Sequence, residues 1–361
     1  MILLSGGRSS RMGRPKGLLE HAGKPLLPYH LDAYRSSGGR RAVVVLGFDF
    51  EAYLNAFPGI LDLSRKTYRG SLEITTVVNA QPEFGPFSSV QAGLRVFLQE
   101  KHDFYFVQAI DKPVLESDSW NRLSGNIKQA SMAYFNDNAH PYLISNEFAN
   151  HISGLDPSAH RMDFLRDGLD SSKRVVLESA SESFNLNTPE DFERFTKTVP
   201  PQTPVLIGIV GKKRSGKTTH LQKLVEELRQ KGVSVGGILQ PASDGSSMPE
   251  HYGIEDIKTK ERRIIAYQKK TPEGIVFGFN EESFAFAREK ILDAARTCDV
   301  VFIDEFGRLE SKGEGHFPAF TESLKDASAL AYVISVREDV LETIKTNLKF
   351  DINIICHCEK R

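Results

Sequence analysis

The sequence predicts two α/β domains, each a parallel sheet covered by helices. Short runs of β-branched and other apolar residues alternate with stretches of helical periodicity along the whole chain. A proline-rich stretch at 200–204 interrupts this alternation, because proline can neither propagate a helix nor pair within a central strand. The length of 361 residues fits two domains of the usual size. We therefore expect one domain at 1–199, a linker at 200–204 and a second domain at 205–361.

The composition is typical of a globular protein. Hydrophobic residues make up 40% and charged residues 26%, which excludes a mainly disordered or coiled-coil chain. The 46 basic and 47 acidic side chains nearly cancel, so no overall field favours nucleic acid or an anionic membrane. Neither a signal peptide nor a membrane span is apparent, and three cysteines suit a reducing compartment. We expect a cytoplasmic protein whose partners are neither nucleic acid nor membrane.

Five apolar or β-branched runs of the first domain predict strands, at 2–4, 41–47, 72–79, 103–110 and 130–135. A loop rich in glycine, serine and arginine follows the first of them. Within 5–16 it carries three glycines, three hydroxyl side chains and four cations. Backbone N–H groups of such a loop can surround phosphate oxygens, while Arg11 and Lys16 neutralise a triphosphate. We predict a nucleotide site here; a basic turn without a ligand is the alternative. Its residues are Leu4, Ser5, Gly6, Gly7, Ser9, Arg11 and Lys16.

Asp111 directly follows the apolar run 103–110. The carboxyl end of a strand beside a phosphate-binding loop is where α/β proteins place their sites. One carboxylate together with substrate phosphates can hold Mg²⁺, which prefers oxygen ligands and keeps several waters. We therefore predict that Asp111 binds Mg²⁺ and takes part in catalysis; a helix cap is the alternative.

Residues 6–16 read GGxSxRMGxxK, which resembles the signature of the nucleotidyltransferases that attach an NMP to sugar phosphates, lipid precursors or molybdopterin. Residues 85–94, 107–113 and 184–191 are similar to further segments of that family, and the molybdenum cofactor nucleotidyltransferases resemble the chain most closely. The resemblance implies a Rossmann-like domain of the nucleotide-diphospho-sugar transferase type that joins GMP or CMP to molybdopterin. It also implies molybdoenzymes or other proteins of the cofactor pathway as partners. It adds Asn79, Gly85 and Ser89 to the nucleotide site and Asn187, or else Asn185, to the metal or acceptor site.

Base and acceptor stay open at this point. Residues 4–7 and Gly85-Pro86 resemble the guanylyl branch, whereas Asn79, residues 43–47 and Ser88-Ser89 resemble the cytidylyl branch. We expect GTP as the substrate, with CTP or ATP as the other candidates. A sugar phosphate or polyol phosphate is the alternative acceptor, although such relatives have longer acceptor regions than the roughly 75 residues between 113 and 188.

In the second domain, strands are predicted at 204–210, 233–239, 299–303, 329–336 and 352–356. The segment 211–218 fits GxxxxGK[ST], between an apolar strand and a helical stretch, which is the context this motif requires. Glycines turn backbone N–H groups onto phosphates, Lys217 neutralises their charge and Thr218 binds Mg²⁺. A glycine-rich turn without a ligand is the alternative. The predicted nucleotide-binding residues are Gly211, Arg214, Ser215, Gly216, Lys217, Thr218 and Thr219.

A second acidic element follows the predicted strand 299–303. Asp304 would hold Mg²⁺ through water or contact Thr218, and Glu305 would polarise the attacking water; a helix cap or a solvated loop is the other interpretation. Residues 235–241 and 304–310 resemble the thermophile-type nucleoside-triphosphatases, which implies hydrolysis of an NTP to the diphosphate. The opening of this domain also resembles the GTP-binding adaptor protein of molybdopterin dinucleotide synthesis, which would make it a binding module. We expect a P-loop NTPase domain.

Overall fold

A computed structural model describes residues 1–100, 102–114, 118–136, 140–179, 184–241, 251–271, 274–347 and 352–358. They form two compact units, one of Met1–Tyr68 and Leu72–Gln202 and the other of Arg69–Ser71 and the residues from Thr203 onward. Each unit is an α/β domain built around a mixed eight-stranded sheet. Among the described helices, none combines the length and apolar character that crossing a bilayer requires.

The first unit contains strands β1 to β10 and helices α1 to α7. The strands are Ile2–Ser5 (β1), Glu20–His21 (β2), Lys24–Pro25 (β3), Arg41–Leu46 (β4), Thr67–Arg69 (β5), Leu72–Val78 (β6), Phe104–Ala109 (β7), Met132–Phe135 (β8), Tyr142–Ser145 (β9) and Arg174–Leu177 (β10). The helices are Leu26–Ser36 (α1), Phe50–Ala56 (α2), Gly85–Phe97 (α3), Ser119–Asn126 (α4), Asn146–Ser153 (α5), Met162–Asp167 (α6) and Pro189–Thr198 (α7).

The large sheet of this unit has the order β10-β8-β9-β7-β1-β4-β6-β5. Its centre is parallel, because β1 pairs in the same direction with β4 and with β7. Alternate residues of these strands enter two cores on opposite faces: Leu3 and Val44 pack on the α1 side, Ile2 and Val43 on the α3 side. Burial on both faces explains why 42–46 is an unbroken apolar run. The parallel centre brings the carboxyl ends of β1, β4 and β7 to one edge.

The second unit contains strands β11 to β18 and helices α8 to α11. The strands are Val205–Gly211 (β11), Val235–Leu239 (β12), His251–Asp256 (β13), Arg262–Thr271 (β14), Gly274–Phe279 (β15), Val300–Phe306 (β16), Ala331–Arg337 (β17) and Ile354–His357 (β18). The helices are Lys217–Gln230 (α8), Glu281–Thr297 (α9), Phe317–Ser323 (α10) and Leu341–Asn347 (α11).

The sheet of this unit has the order β15-β14-β13-β12-β16-β17-β11-β18. Strands β12, β16, β17, β11 and β18 run parallel, and β13 to β15 form an antiparallel extension. The side chains of Leu221 and Val225 on α8 pack on one face with Ile209 and Phe302, and α9 covers the other face. The parallel strands place the end of β11 and the end of β16 at the same edge.

The predicted strands all correspond to observed strands, within a few residues at their ends. The predicted parallel pairing holds in the centre of each sheet, but both sheets are mixed. Strand β9 runs antiparallel to both β7 and β8, and β13 to β15 add three antiparallel strands to the second sheet. The antiparallel strand β9 is only four residues long, so its apolar run carries too little pattern to separate it from a loop.

Candidate nucleotide sites

A cleft of about 290 Å³ opens at the carboxyl edge of the first sheet. Its walls come from the loop after β1, the start of α3, the end of β7 and the segment before α7. Its lining residues are Leu4, Ser5, Gly6, Gly7, Arg8, Ser9, Ser10, Arg11, Lys16, Tyr53, Pro82, Gly85, Pro86, Ser89, Ala109, Ile110, Asp111 and Asn187. The sequence therefore predicted most of the residues that the fold brings to this cleft.

The loop after β1 folds tightly against the sheet. Ser9 and Gly13 adopt left-handed backbone conformations, with φ of 48° and 70°, on either side of a short turn that carries Arg11. The Lys16 backbone N–H donates to Ser9 Oγ at 3.2 Å, which closes the loop. Gly47 is required beside it, because a Cβ there would collide with the Gly6 backbone. The loop is thus held at the end of β4, with Arg11 exposed on the cleft wall.

Lys16, Asp111 and Asn187 meet on the floor of the cleft. Lys16 Nζ donates to Asp111 Oδ2 and to Asn187 Oδ1, each at 2.8 Å. The Lys16 side chain is 12% exposed and that of Asp111 is 26% exposed, so this ion pair is largely but not fully screened from solvent. Asp111 and Asn187 therefore share the Lys16 ammonium, although they lie 95 and 171 positions from Lys16 in the sequence.

Asn187 is placed by the start of α7. Thr188 caps this helix: its hydroxyl accepts the Asp191 N–H, and the Asp191 carboxylate accepts the N–H groups of Thr188 and Asn187. The Leu186 N–H donates to the Asp111 carbonyl at 2.8 Å, which ties this segment to the end of β7. Asn185, the other candidate, is exposed and does not line the cleft.

The Asp111 carboxylate and the Asn187 amide oxygen are hard oxygen donors that already face one cation, so the pair fits Mg²⁺. The described residues bring together no group of three or more His, Cys, Asp or Glu side chains able to hold a metal. An ion at Asp111 and Asn187 would therefore complete its coordination with substrate phosphates and water, as Mg²⁺ commonly does.

Asn79 lies outside the cleft lining, although the resemblance placed it at the nucleotide. Its Nδ2 donates to Ser88 Oγ at 2.8 Å and to Ser89 Oγ at 3.0 Å, and its Oδ1 accepts the Gln81 N–H. The side chain is only 6% exposed. Asn79 thus supports Ser89, which does line the cleft, and Gly85 enters α3 with a φ of 78° that favours glycine.

The second site begins where β11 runs into α8. Gly216, with φ of 93°, caps α8, and Arg214 has a left-handed φ of 65°. Lys217 is buried and its Nζ donates to the carbonyls of Gly211 and Lys212, at 3.0 and 2.9 Å. Gly211 leaves room for Ser215, whose Oγ would clash with a Cβ there. Thr218 and Thr219 follow in the first turn of the helix.

Asp304 is fully buried at the end of β16, and protein donors reach both of its oxygens. The hydroxyl of Ser335 and the N–H of Glu305 reach Oδ1, and the N–H of Gln240 reaches Oδ2 at 3.1 Å. None of the hydrogen bonds in the described part of the chain joins Asp304 to Thr218.

Glu305 sits at a bulge in β16 with a left-handed φ of 69°. Such a conformation is strained for a residue with a Cβ and frequently marks a functional position. Desolvation, and then the neighbouring Asp304 charge, raise the pKa of the Glu305 carboxyl, while Lys217 lowers it. A carboxyl of raised pKa near the phosphate-loop lysine is suited to accept a proton.

Sequence reasoning missed two residues that complete these sites. Tyr53 lines the first cleft and its hydroxyl accepts the Gly17 N–H at 3.0 Å. Ser335 anchors Asp304 from β17. Neither belongs to a local motif, so only the pairing of β16 with β17 and the packing of α2 bring them into place.

Comparison with known proteins assigns the two halves separately. Residues 1–175 match the family described as MobA-like NTP transferase domain, and residues 206–360 match the family described as NTPase. A molybdenum cofactor guanylyltransferase of Yersinia pestis is 29% identical over 200 residues, which are 53% of this chain and 91% of that protein.

Two further relatives match the second half. Nucleoside-triphosphatase THEP1 of Thermoplasma acidophilum is 29% identical over 150 residues, 39% of this chain and 81% of that protein. THEP1 of Korarchaeum cryptofilum is 33% identical over 105 residues, 28% of this chain, and the match spans about half of that relative, 54% of its length.

Solved structures resemble about half of the chain. Rv0371c from Mycobacterium tuberculosis covers 55% of this chain and 97% of its own, at 17% identity and a TM-score of 0.43. HddC from Yersinia pseudotuberculosis covers 54% of this chain and 97% of its own, at 12% identity and a TM-score of 0.44.

Proposed function

We propose that this chain, which joins a MobA-like NTP transferase domain to an NTPase domain, transfers GMP from GTP to molybdopterin in its first domain. The observation that carries the proposal is the meeting of Lys16, Asp111 and Asn187 beneath a glycine-rich loop. Relatives named molybdenum cofactor guanylyltransferase support both the guanine base and the acceptor.

The reaction needs alignment and charge neutralisation rather than a nucleophilic side chain. An oxygen of the terminal phosphate of molybdopterin attacks the α-phosphorus of GTP, a new P–O bond forms, the α–β anhydride bond breaks and pyrophosphate leaves. Residues 6–9 and Arg11 line the cleft, where their backbone N–H groups and the Arg11 guanidinium would bind the leaving pyrophosphate. Lys16 exchanges its carboxylate partner for the triphosphate as the substrate enters.

Mg²⁺ held by Asp111 and Asn187 would neutralise the charge of the triphosphate. Because Lys16 occupies the same two oxygens, the protein keeps the Asp111 charge compensated before the substrate binds. Ser5 lines the cleft, and its buried hydroxyl has no partner among the residues that the structure describes.

For the second domain we propose binding and hydrolysis of an NTP. Lys217 leaves the carbonyls of Gly211 and Lys212 to bind the β- and γ-phosphates, and Glu305 accepts a proton from the attacking water. Thr218 and Asp304 would hold Mg²⁺, Asp304 through water, because its own oxygens are engaged. We also propose that molybdoenzymes or other proteins of the cofactor pathway receive the product of the first domain.

The test measures pyrophosphate release from GTP with different acceptors. Full-length protein receives Mg²⁺, GTP and either molybdopterin or hexose 1-phosphate, with Asp111→Asn as the inactive control. Pyrophosphate release with molybdopterin but not with hexose 1-phosphate supports the proposal. Release with hexose 1-phosphate but not with molybdopterin would assign the domain to sugar nucleotide synthesis. Diphosphate production by Asp111→Asn protein measures the second domain separately; its absence would indicate a binding module instead of a hydrolase.

A further inference from the structure

The turn that carries Asp111 is held by more than the sheet. Strand β7 pairs with β9 only as far as the register Val107↔Tyr142, and with β1 as far as Leu4↔Ala109. The next bond on the β1 side joins the Ile110 N–H to the Leu4 carbonyl at 3.0 Å. Beyond these points the backbone of 109–112 leaves the ladder, and its polar groups need other partners.

The Lys112 N–H donates to the Ala109 carbonyl at 3.2 Å and the Leu186 N–H to the Asp111 carbonyl at 2.8 Å. Three polar side chains from three separate segments supply further partners. His140 Nδ1 accepts the Ala109 N–H at 3.0 Å. Gln108 Nε2 donates to the carbonyls of Ala109 and Lys112, at 2.8 and 2.5 Å, and so spans the turn. His30 Nε2 lies 3.0 Å from the Ile110 carbonyl, to which it must donate, because a carbonyl only accepts.

None of these three side chains is among the residues that line the cleft. Gln108 and His30 are fully buried, and both keep a polar atom, Gln108 Oε1 and His30 Nδ1, that has no partner in the described protein. A buried atom without a partner costs stability. An apolar side chain would therefore suit the packing of β7 better than Gln108, and the function of its amide is to hold the turn.

We propose that Gln108, His140 and His30 are positioning residues that fix the Asp111 turn, and hence the carboxylate, in register with Lys16 and Asn187. The proposal rests on the proposed nucleotidyl transfer, in which Asp111 must meet the metal and the substrate phosphates together. A displacement of about 1 Å at a reacting group can lower the rate about 10²-fold, so loss of one such bond shows in catalysis.

The chain offers a matched control for Gln108. Gln91 on α3 is also buried, at 1% exposure, and its Nε2 donates to two backbone carbonyls, Ile152 at 2.8 Å and Leu155 at 2.7 Å. Its Oε1 likewise has no partner in the described protein. Gln91→Leu therefore removes a comparable pair of bonds from a comparably buried position and leaves the Asp111 turn unchanged.

The experiment compares Gln108→Leu with Gln91→Leu for thermal midpoint, kcat and the Mg²⁺ concentration needed for half-maximal transfer. We expect Gln108→Leu to lower kcat by about 10- to 100-fold and to raise the Mg²⁺ requirement, with the KM for GTP nearly unchanged. Gln91→Leu should keep both kinetic values. Equal losses in the two variants, or no loss in Gln108→Leu, would overturn the proposal.

His140 provides a second test if Gln108→Leu does not fold. His140→Asn can keep an acceptor for the Ala109 N–H, whereas His140→Leu cannot. Recovery of transfer in the asparagine variant alone supports positioning, and equal activity of the two variants contradicts it.

Mn²⁺ binding separates this proposal from the proposed function. Mn²⁺ affinity is measured by electron paramagnetic resonance in Gln108→Leu and Gln91→Leu. If the wild-type protein transfers nothing to any acceptor, a lower Mn²⁺ affinity in Gln108→Leu than in Gln91→Leu retains the positioning role and rejects the proposed reaction. Equal Mn²⁺ affinities in that case would reject both.

Discussion

Lys16 holds the two oxygens that we propose as metal ligands, so replacing Lys16 should increase metal affinity while it weakens nucleotide binding. In Lys16→Met the side chain keeps much of its length but loses the ammonium that donates to Asp111 Oδ2 and Asn187 Oδ1. In the wild-type protein a metal ion that arrives without nucleotide must first displace this ammonium. In the variant the same oxygens are free.

The size of the effect follows from the two hydrogen bonds. A hydrogen bond to a charged group is worth roughly 1.5–3 kcal/mol when shielded, and an exposed ion pair is worth less than about 1 kcal/mol. The exposures of 12% for Lys16 and 26% for Asp111 place this pair between those limits, at about 1–2 kcal/mol. Since 1.4 kcal/mol is a factor of ten, we expect Mn²⁺ to bind Lys16→Met about 5- to 30-fold more tightly.

The assay is a Mn²⁺ titration followed by electron paramagnetic resonance, first without nucleotide and then with GTP. Arg14→Met is the matched control, because Arg14 lies exposed in the same loop and carries the same charge. It should change Mn²⁺ affinity by less than about twofold, since solvent and salt screen an exposed charge. GTP should bind Lys16→Met more weakly than wild type. Unchanged or lower Mn²⁺ affinity in Lys16→Met, or an equal gain in Arg14→Met, would refute the competition between Lys16 and the metal.

Three further substitutions test the separate roles. Asp111→Asn should lower dinucleotide formation by orders of magnitude with an unchanged thermal midpoint, and near-normal transfer at saturating Mg²⁺ would place the metal elsewhere. Lys217→Ala should weaken nucleotide binding by the isolated second domain, provided that domain folds, and leave transfer intact; equal affinity would remove Lys217 from the site. Glu305→Gln should retain binding and lower hydrolysis roughly 10²–10⁴-fold. The pKa of Glu305 is raised, so on acidification wild-type hydrolysis should be lost at a higher pH than if the base were an ordinary glutamate. The same pH profile in wild type and in Glu305→Gln would contradict the role of Glu305 as the base.

The parallel centres of both sheets could be predicted because strands buried on two faces are nearly continuous apolar runs, as at 42–46. Positions at the ends of such strands, Asp111 and Asp304, follow from the same pattern. The antiparallel strands could not be predicted in this way. In β14 and β15 the apolar side chains of Tyr267, Phe277 and Phe279 are about half exposed, so hydrophobicity there does not report burial.

The sites were predictable where a motif is local and were missed where the partner is remote. Lys16 and Lys217 belong to short loops whose residue types reveal their chemistry. Asn79 has a residue type suited to a base, but the structure uses its amide within the protein, on Ser88 and Ser89. Strand pairing and helix packing bring Ser335 and Tyr53 to the candidate sites, and the spacing of residues in the sequence does not show such contacts.

The most direct test of the proposed transfer is the mass of the product. Full-length protein is incubated with Mg²⁺, molybdopterin and each of the four NTPs in turn, and the products are identified by mass spectrometry. We predict molybdopterin guanine dinucleotide with GTP, together with one pyrophosphate per dinucleotide, and its loss in Asp111→Asn. A dinucleotide formed only from CTP would contradict the guanine preference, and the absence of any dinucleotide with all four nucleotides would contradict nucleotidyl transfer to molybdopterin.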